Sequence, residues 1–425
     1  MRKLHYHSDC SFFAGCEQML VNFFESPEIR VNYEISFSYR SSERYTEGLQ
    51  RRVKGELKLD PLSFPDLDSD LSYQMRGPKV VTQICNSAIR ILSIYPLFFY
   101  DVVLLHRLLM RTKPDILHVN SGGYPGALST RAVVVAARWA NIPVVLMVVN
   151  NLAVGYTRPS RWMDYPIDRW IARSVDLFIT GSEAAANQLR FVLGLPKSQV
   201  KAIHNGVSVR PGSATLAETR DRLGLDKFKG VIFGVVALLI GRKGHRILLE
   251  AVAKMCDEDP AVVQEVKILI EGDGPLRAEL AEFIDTHNLH DTIVLVGSEE
   301  NVVDFMSALD VLILPSVQDE DFPNVILEAM SLGKPVIATR LAGTPEQVED
   351  GVTGILVEPR NVDQLADAIK YLVRNENIRL EFGRSGLARY HNHFTQAMAT
   401  ANYLATYTQF AKENSDRFQR DIQGV

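Results

Sequence analysis

The sequence predicts an α/β protein built from two doubly wound parallel sheets, and three observations carry that prediction. Short apolar, β-branched runs recur along the chain with helical stretches between them, the alternation that βαβ units require. The pattern runs once to about residue 203, stops across a polar stretch, and starts again at residue 230. With 425 residues and 46% apolar side chains, the chain is long enough for two cores and too apolar for a disordered state.

In order, the first half offers strands at 4–7, 115–120, 143–149, 175–180 and 200–203. Residues 40–75 are charged and broken by Pro61 and Pro65, and read as a long surface excursion. Residues 87–112 are apolar but punctuated by Arg90, Arg107 and Arg111. That pattern suits a core helix with solvated arginine tips ahead of a helix lying on a membrane surface. The polar stretch 205–229, with Gly206, Pro211, Gly212 and Gly224, reads as the boundary between domains. Strands resume at 230–238, 266–270, 292–296, 310–314, 335–338 and 354–357, and residues 391–410 read as an amphipathic helix. The domains expected are therefore 1–204, 205–390 and a terminal helix 391–425. Two such domains facing one another leave a central cleft at the carboxyl ends of both sheets, where open α/β sheets bind ligands.

Several function classes drop out. The formal charge of −5 gives no field for nucleic acid. Cysteines at 10, 16, 85 and 256 have no CxxC or ligand-like spacing, so neither a zinc site nor a disulfide framework is expected. The amino terminus has no continuous apolar block, and the charge-free stretch 139–157 contains Asn141, Pro143, Asn150, Asn151 and Gly155, costly in hydrocarbon. A cytoplasmic setting is expected. Asp66, Asp68 and Asp70 imitate a metal-binding DxD, but no buried strand precedes them, and oxygen ligands from three consecutive residues such as 319–321 rarely converge on one cation. No metal and no cofactor is predicted.

Two segments concentrate the chemistry. In EDFPNVILEAM, Glu320 lies on the loop after the 310–314 strand, while Glu328 lies on a helix for which Pro323 suits the first position. The amides of Asn324 and Val325 at that helix start suit phosphate oxygens. In GRKGHRILLEA, Arg242 and Lys243 stand at a helix start, where the dipole disfavours cations unless an anion is bound, and Gly244 permits close backbone approach. Gly15, after the first strand, could bring an amide to a phosphate, although a GxGxxG is missing. The glycines of EGDGP, 271–275, read as a tight turn.

These residues carry a resemblance. From about 205 to 373 the chain resembles the donor-nucleotide domain of retaining GT-B glycosyltransferases, whose hallmark is Glu, seven residues, Glu. Glu320 and Glu328 match it. HNGV, KGH, EGDGP, LPS, GKPVIAT and EDGVTGILV follow in the family's order, with AGCE, PDILHVN and GSEAA as looser matches in the first half. The resemblance implies the GT-B architecture of two Rossmann-like domains, with a UDP- or GDP-sugar as co-substrate and a glycan or lipid-linked acceptor. It implies that Glu328 holds the ribose, Glu320 the donor sugar and Lys243 the diphosphate, with Gly15, Arg242, Gly244, Phe322, Asn324 and Val325 around them and no metal. It further implies polysaccharide or glycolipid assembly, with peripheral contact at the inner membrane face. Leu238 stands where the family usually has an arginine, and Asn150 where it commonly has a histidine near the donor sugar. An asparagine can hydrogen-bond a hydroxyl but does not shuttle a proton. The competing readings are a degenerate GT-B subunit used for binding or scaffolding and, more weakly, an epimerase or phosphorylase on the same architecture.

Overall fold

A computed structural model describes residues 1–10, 15–65, 79–208, 212–299 and 301–423. The acids Asp66, Asp68 and Asp70 and residues 11–14 lie outside the described residues. The chain divides into two compact units, Met1–Ile203 with Thr400–Val425, and His204–Ala399.

The first unit is a seven-stranded parallel sheet of β1 (Arg2–Ser8), β2 (Tyr33–Arg40), β3 (Lys58–Leu62), β4 (Ile116–Ser121), β5 (Val144–Val149), β6 (Leu177–Thr180) and β7 (Val200–Ala202). Its order is β3-β2-β1-β4-β5-β6-β7, so strand order reverses between β1 and β4, the switch point where such sheets bind ligands. Ser8 and Asn120 are register partners at that point. β4 and β5 are buried throughout and read as apolar runs for that reason.

Two strands of this sheet are absent from the sequence expectation. β2 alternates apolar and polar residues, and its Ser36 and Ser38 hydroxyls lie 2.7 and 2.8 Å from the ring nitrogens of buried His5. β3 falls inside the supposed surface excursion, together with a helix, Glu43–Arg52, capped by Ser42. β3 is an edge strand, the position in which Pro61 is tolerated. Helix Lys79–Thr112 packs on helix Leu128–Trp139 and sends Phe98, Val102, Leu105 and Leu109 into the core.

The second unit is a six-stranded parallel sheet, order β10-β9-β8-β11-β12-β13. Its strands are β8 (Val231–Val236), β9 (Val266–Glu271), β10 (Ile293–Gly297), β11 (Val311–Leu314), β12 (Val336–Thr339) and β13 (Gly354–Val357), each starting and ending within two residues of the expectation. The polar stretch 205–229 lies within this unit. Helix Leu216–Arg222 starts with a capping box of Thr215 and Glu218, and Ser213 N and Oγ both donate to Asp304. The terminal segment joins the first unit from Thr400 rather than from 391, because helix Glu376–His393 packs on the helix Asn324–Ser331.

Candidate active site

The site of the second unit is assembled by three loops that follow β8, β9 and β11. After β8 the chain passes through Ala237–Ile240 into a 3₁₀ turn, Gly241–Lys243, and then into helix His245–Glu258. The EGDGP loop after β9 braces this passage, since Leu239 N donates to Asp273 O at 3.0 Å and Leu276 N to Leu239 O at 3.1 Å. A Cβ on Gly274 would sit 2.6 Å from the Leu239 carbonyl oxygen, so its glycines serve close packing as well as a turn. Gly244 has φ +72° and no room for a side chain, because a Cβ there would lie 1.9 Å from the Pro315 carbonyl oxygen. The clamp turn is thereby pressed against the end of β11, and Val317 N donates to Arg242 O at 2.8 Å.

That contact brings both basic residues onto Glu320. Lys243 Nζ donates to Glu320 Oε1, Arg242 Nη1 lies 3.3 Å from the same oxygen, and Ser316 Oγ donates to it at 2.8 Å. Arg242 Nη1 also donates to Asp319 O at 3.1 Å. With side chains of Glu320 and Lys243 only 8% and 13% exposed, the charges interact through a medium less screening than water. Two cations share one oxygen of this carboxylate. His245, beside them, is buried and has no hydrogen-bond partner on either ring nitrogen. Burial, with Lys243 adding to it, pushes its pKa down to about 4, so it stays neutral at physiological pH.

The segment that follows is held from behind. The Phe322 ring stacks on His204, centroids 4.7 Å apart and 9° from parallel, and His204 Nε2 is 3.1 Å from Glu346. Asn205 Nδ2 donates to Asn324 Oδ1 at 3.1 Å, and Gln347 Nε2 to Pro323 O at 3.0 Å. Pro323 is the N-cap of helix Asn324–Ser331 and not its first helical residue. No side chain caps this start, a condition under which first-turn amides such as that of Val325 serve an anion. Glu328 is half-buried on the next turn.

The remaining candidates belong to the first unit. Gly15 opens helix Gly15–Phe24, and Asn150 follows β5. Asn150 Nδ2 donates to Asn120 Oδ1 at 2.7 Å and to Ser121 O at 3.0 Å, Asn120 Nδ2 to Ser8 Oγ at 3.3 Å, and Ser8 Oγ to Glu17 at 3.1 Å. This polar ladder crosses the carboxyl ends of β5, β4 and β1.

A charged cluster that sequence reasoning missed lies in the same unit. Arg131 Nη1 is 2.7 Å from Asp164, Arg161 Nη1 is 2.6 Å from Asp168, and the hydroxyls of Tyr124 and Tyr156 donate to Asp168 at 2.9 and 2.6 Å. The signal available was Arg161, Asp164 and Asp168 at i, i+3 and i+7, one face of a helical stretch.

The fold is shared with solved structures: a glycosyltransferase from Rickettsia africae (TM-score 0.74, 16% identity, 97% of this chain and 100% of that one) and HepE from Anabaena (TM-score 0.73, 18%, 96% and 100%). Residues 230–375 match the family Glycosyl transferases group 1, and residues 68–210 match Glycosyltransferase Family 4. The chain is a glycosyltransferase with the GT-B fold. This glycosyltransferase is 29% identical over 314 residues to the 2-deoxystreptamine glucosyltransferase of Streptomyces kanamyceticus, spanning 70% of its own length and 79% of that relative. It is 31% identical over 256 residues to the D-inositol 3-phosphate glycosyltransferase of Streptomyces bingchenggensis, spanning 55% and 54%.

Proposed function

We propose that this glycosyltransferase moves a sugar from a nucleoside diphosphate sugar to a hydroxyl of a glycan or lipid-linked acceptor. It does so with retention of anomeric configuration, without a divalent metal, in polysaccharide or glycolipid assembly. The observation that carries the reading is Lys243 and Arg242 converging on one oxygen of Glu320 at the start of a helix. A diphosphate is the ligand that suits two cations placed there. Complexes of HepE with UDP and with UDP-glucose support the choice of donor class.

On this reading Glu328 accepts hydrogen bonds from ribose hydroxyls and Glu320 from a hydroxyl of the donor sugar. Lys243 and Arg242 turn to the diphosphate, joined by the amides of Asn324 and Val325. As the anomeric C–O bond to phosphate breaks, charge builds on the leaving oxygen, and preorganised cations there lower the barrier. The acceptor oxygen forms the new glycosidic bond on the same face, and its proton passes to the departing phosphate. Arg242 supplies the second cation that Leu238 lacks. A scaffolding subunit is the competing reading, favoured by the commitment of the Asn150 amide to Asn120 and Ser121.

Calorimetric titration with UDP, GDP, ADP and their sugar conjugates, first without metal and then with magnesium or manganese, tests the proposal. One nucleotide is expected to bind without metal, and Glu328→Ala to weaken it by about 1–3 kcal/mol through lost hydrogen bonds. Binding only after metal addition contradicts the metal-free reading, and no binding at all favours the scaffold.

A further inference from the structure

Glu320 uses its two oxygens unequally. Oε1 accepts from Lys243 Nζ and from Ser316 Oγ at 2.8 Å, and Arg242 Nη1 lies 3.3 Å from it. Oε2 has no hydrogen-bond or ion-pair partner among the described residues. The carboxylate therefore holds the two cations with one oxygen and keeps the other for something else.

The three donors on Oε1 differ in what else restrains them. Lys243 Nζ has Glu320 as its one partner among the described residues, and Arg242 Nη1 adds only the Asp319 carbonyl at 3.1 Å. Ser316 is fully buried directly beyond β11, and its carbonyl accepts from Oγ1 of Thr339, the last residue of β12, at 2.6 Å. A serine hydroxyl turns about a single bond on a backbone fixed to the sheet, whereas the lysine ammonium rides a flexible four-carbon stem. The turn that carries the cations is pinned as well, by Val317 N on Arg242 O and by Gly244 against the Pro315 carbonyl. An arriving diphosphate can thus draw off the two long side chains without moving a strand or a helix, and Ser316 stays where it is.

We infer that Glu320 is a displaceable internal anion of the cation pair, and that Ser316 is a positioning residue that keeps the carboxylate in place once a diphosphate has taken the cations. The inference rests on the proposed donor reaction and deepens it. In the free protein Glu320 occupies the ground that the diphosphate needs. Apparent affinity for a diphosphate is then the intrinsic affinity scaled by the fraction of molecules in which the cations stand free, so a fraction of about one tenth weakens binding about tenfold. The same exchange orders recognition: Glu320 is released to a donor-sugar hydroxyl only after the diphosphate is seated.

The test is calorimetric titration of the full chain and its variants with inorganic pyrophosphate, UDP, GDP, UDP-glucose and GDP-mannose. Glu320→Gln and Glu320→Asp should each bind pyrophosphate and the accepted nucleoside diphosphate about tenfold tighter than the parent. The aspartate keeps the charge on a side chain one methylene shorter, which draws it back from Lys243. Tightening by the glutamine variant alone means repulsion at a distance and overturns the inference, as does unchanged or weaker diphosphate binding in both. Ser316→Ala should stay within about twofold of the parent for the nucleoside diphosphate and lose about tenfold of the additional affinity conferred by the sugar. Equal loss for both ligands, or loss for neither, overturns the positioning role.

The three tryptophans, Trp139, Trp162 and Trp170, all lie in the first unit, and Trp162, 58% exposed, is the control position. Trp162→Ala should match the parent in every titration, and a control that tightens as the Glu320 variants do overturns the assignment. If nucleotides bind but the Glu320 variants do not tighten, the internal anion falls and the proposed reaction stands. If pyrophosphate binding tightens while no nucleotide or nucleotide sugar binds, the internal anion stands and the proposed reaction falls. Binding of no probe by any variant overturns both.

Discussion

Each unit gathers charge, and the two clusters are paired differently. In the first unit Arg131 and Arg161 meet Asp164 and Asp168, two against two, with tyrosine hydroxyls completing the shell. In the second, Lys243 and Arg242 both converge on one oxygen of Glu320. A balanced, buried cluster has nothing left to offer a ligand and holds helices in place. Two cations on one carboxylate oxygen at a loop junction can turn to an anion when one arrives. How the charges are shared separates the two roles where burial does not, because Glu320 is at least as buried as Asp164.

The largest effect should come from breaking the balance in the first unit. Asp168→Ala leaves two buried guanidinium groups to share Asp164 and removes the acceptor of two tyrosine hydroxyls, and should cost about 3–5 kcal/mol in denaturant unfolding. A loss below 1 kcal/mol would mean the cluster is not holding that unit together. Next, Lys243→Ala should lower turnover about 10²–10³-fold while shifting the melting temperature little. Equal turnover in that variant would remove the lysine from the chemistry.

The smallest effect concerns acid. Burial pushes His5 and His118 down to about 3 and His7 to about 4 in the first unit, against His245 at about 4 in the second. Each stays neutral in the fold while the unfolded chain takes a proton, so stability falls as pH drops below about 6.5. Asp101 opposes this, for burial, with nearby Asp9 adding to it, raises its carboxyl to about 7. Between about pH 7 and pH 4 the folded protein holds that proton and the unfolded chain does not, so acidification stabilises through this group. Asp101→Asn removes the compensation and should steepen the first unit's loss between pH 7 and pH 5 by about 2 kcal/mol. Amide exchange in the second unit should keep its parent pH profile.

The strands that were legible are those buried on both faces, such as β4, β5 and β11, because a continuous apolar run has few other uses. β2 was hidden by its alternation, whose polar half turns out to serve His5 and His7 inside the fold. β3 was hidden by Pro61, which argues against a strand anywhere but an edge. Glu320, Glu328 and Lys243 were legible from motif and spacing. The direction of Arg242 was not, since it depends on Gly244 meeting the Pro315 carbonyl, a contact between loops far apart in the chain. The Arg131 pairing was illegible for the same reason: its partners lie in another part of the sequence.

Trp139, Trp162 and Trp170 also divide the molecule optically. The second unit, His204–Ala399, contains no tryptophan and only Tyr371 and Tyr390 as phenols. Emission excited at the red edge of protein absorption therefore comes from the first unit alone, while helical circular dichroism comes from both. Coincident unfolding curves would mean that the two units melt as one, and a gap between them would read out the second unit's own stability without any label.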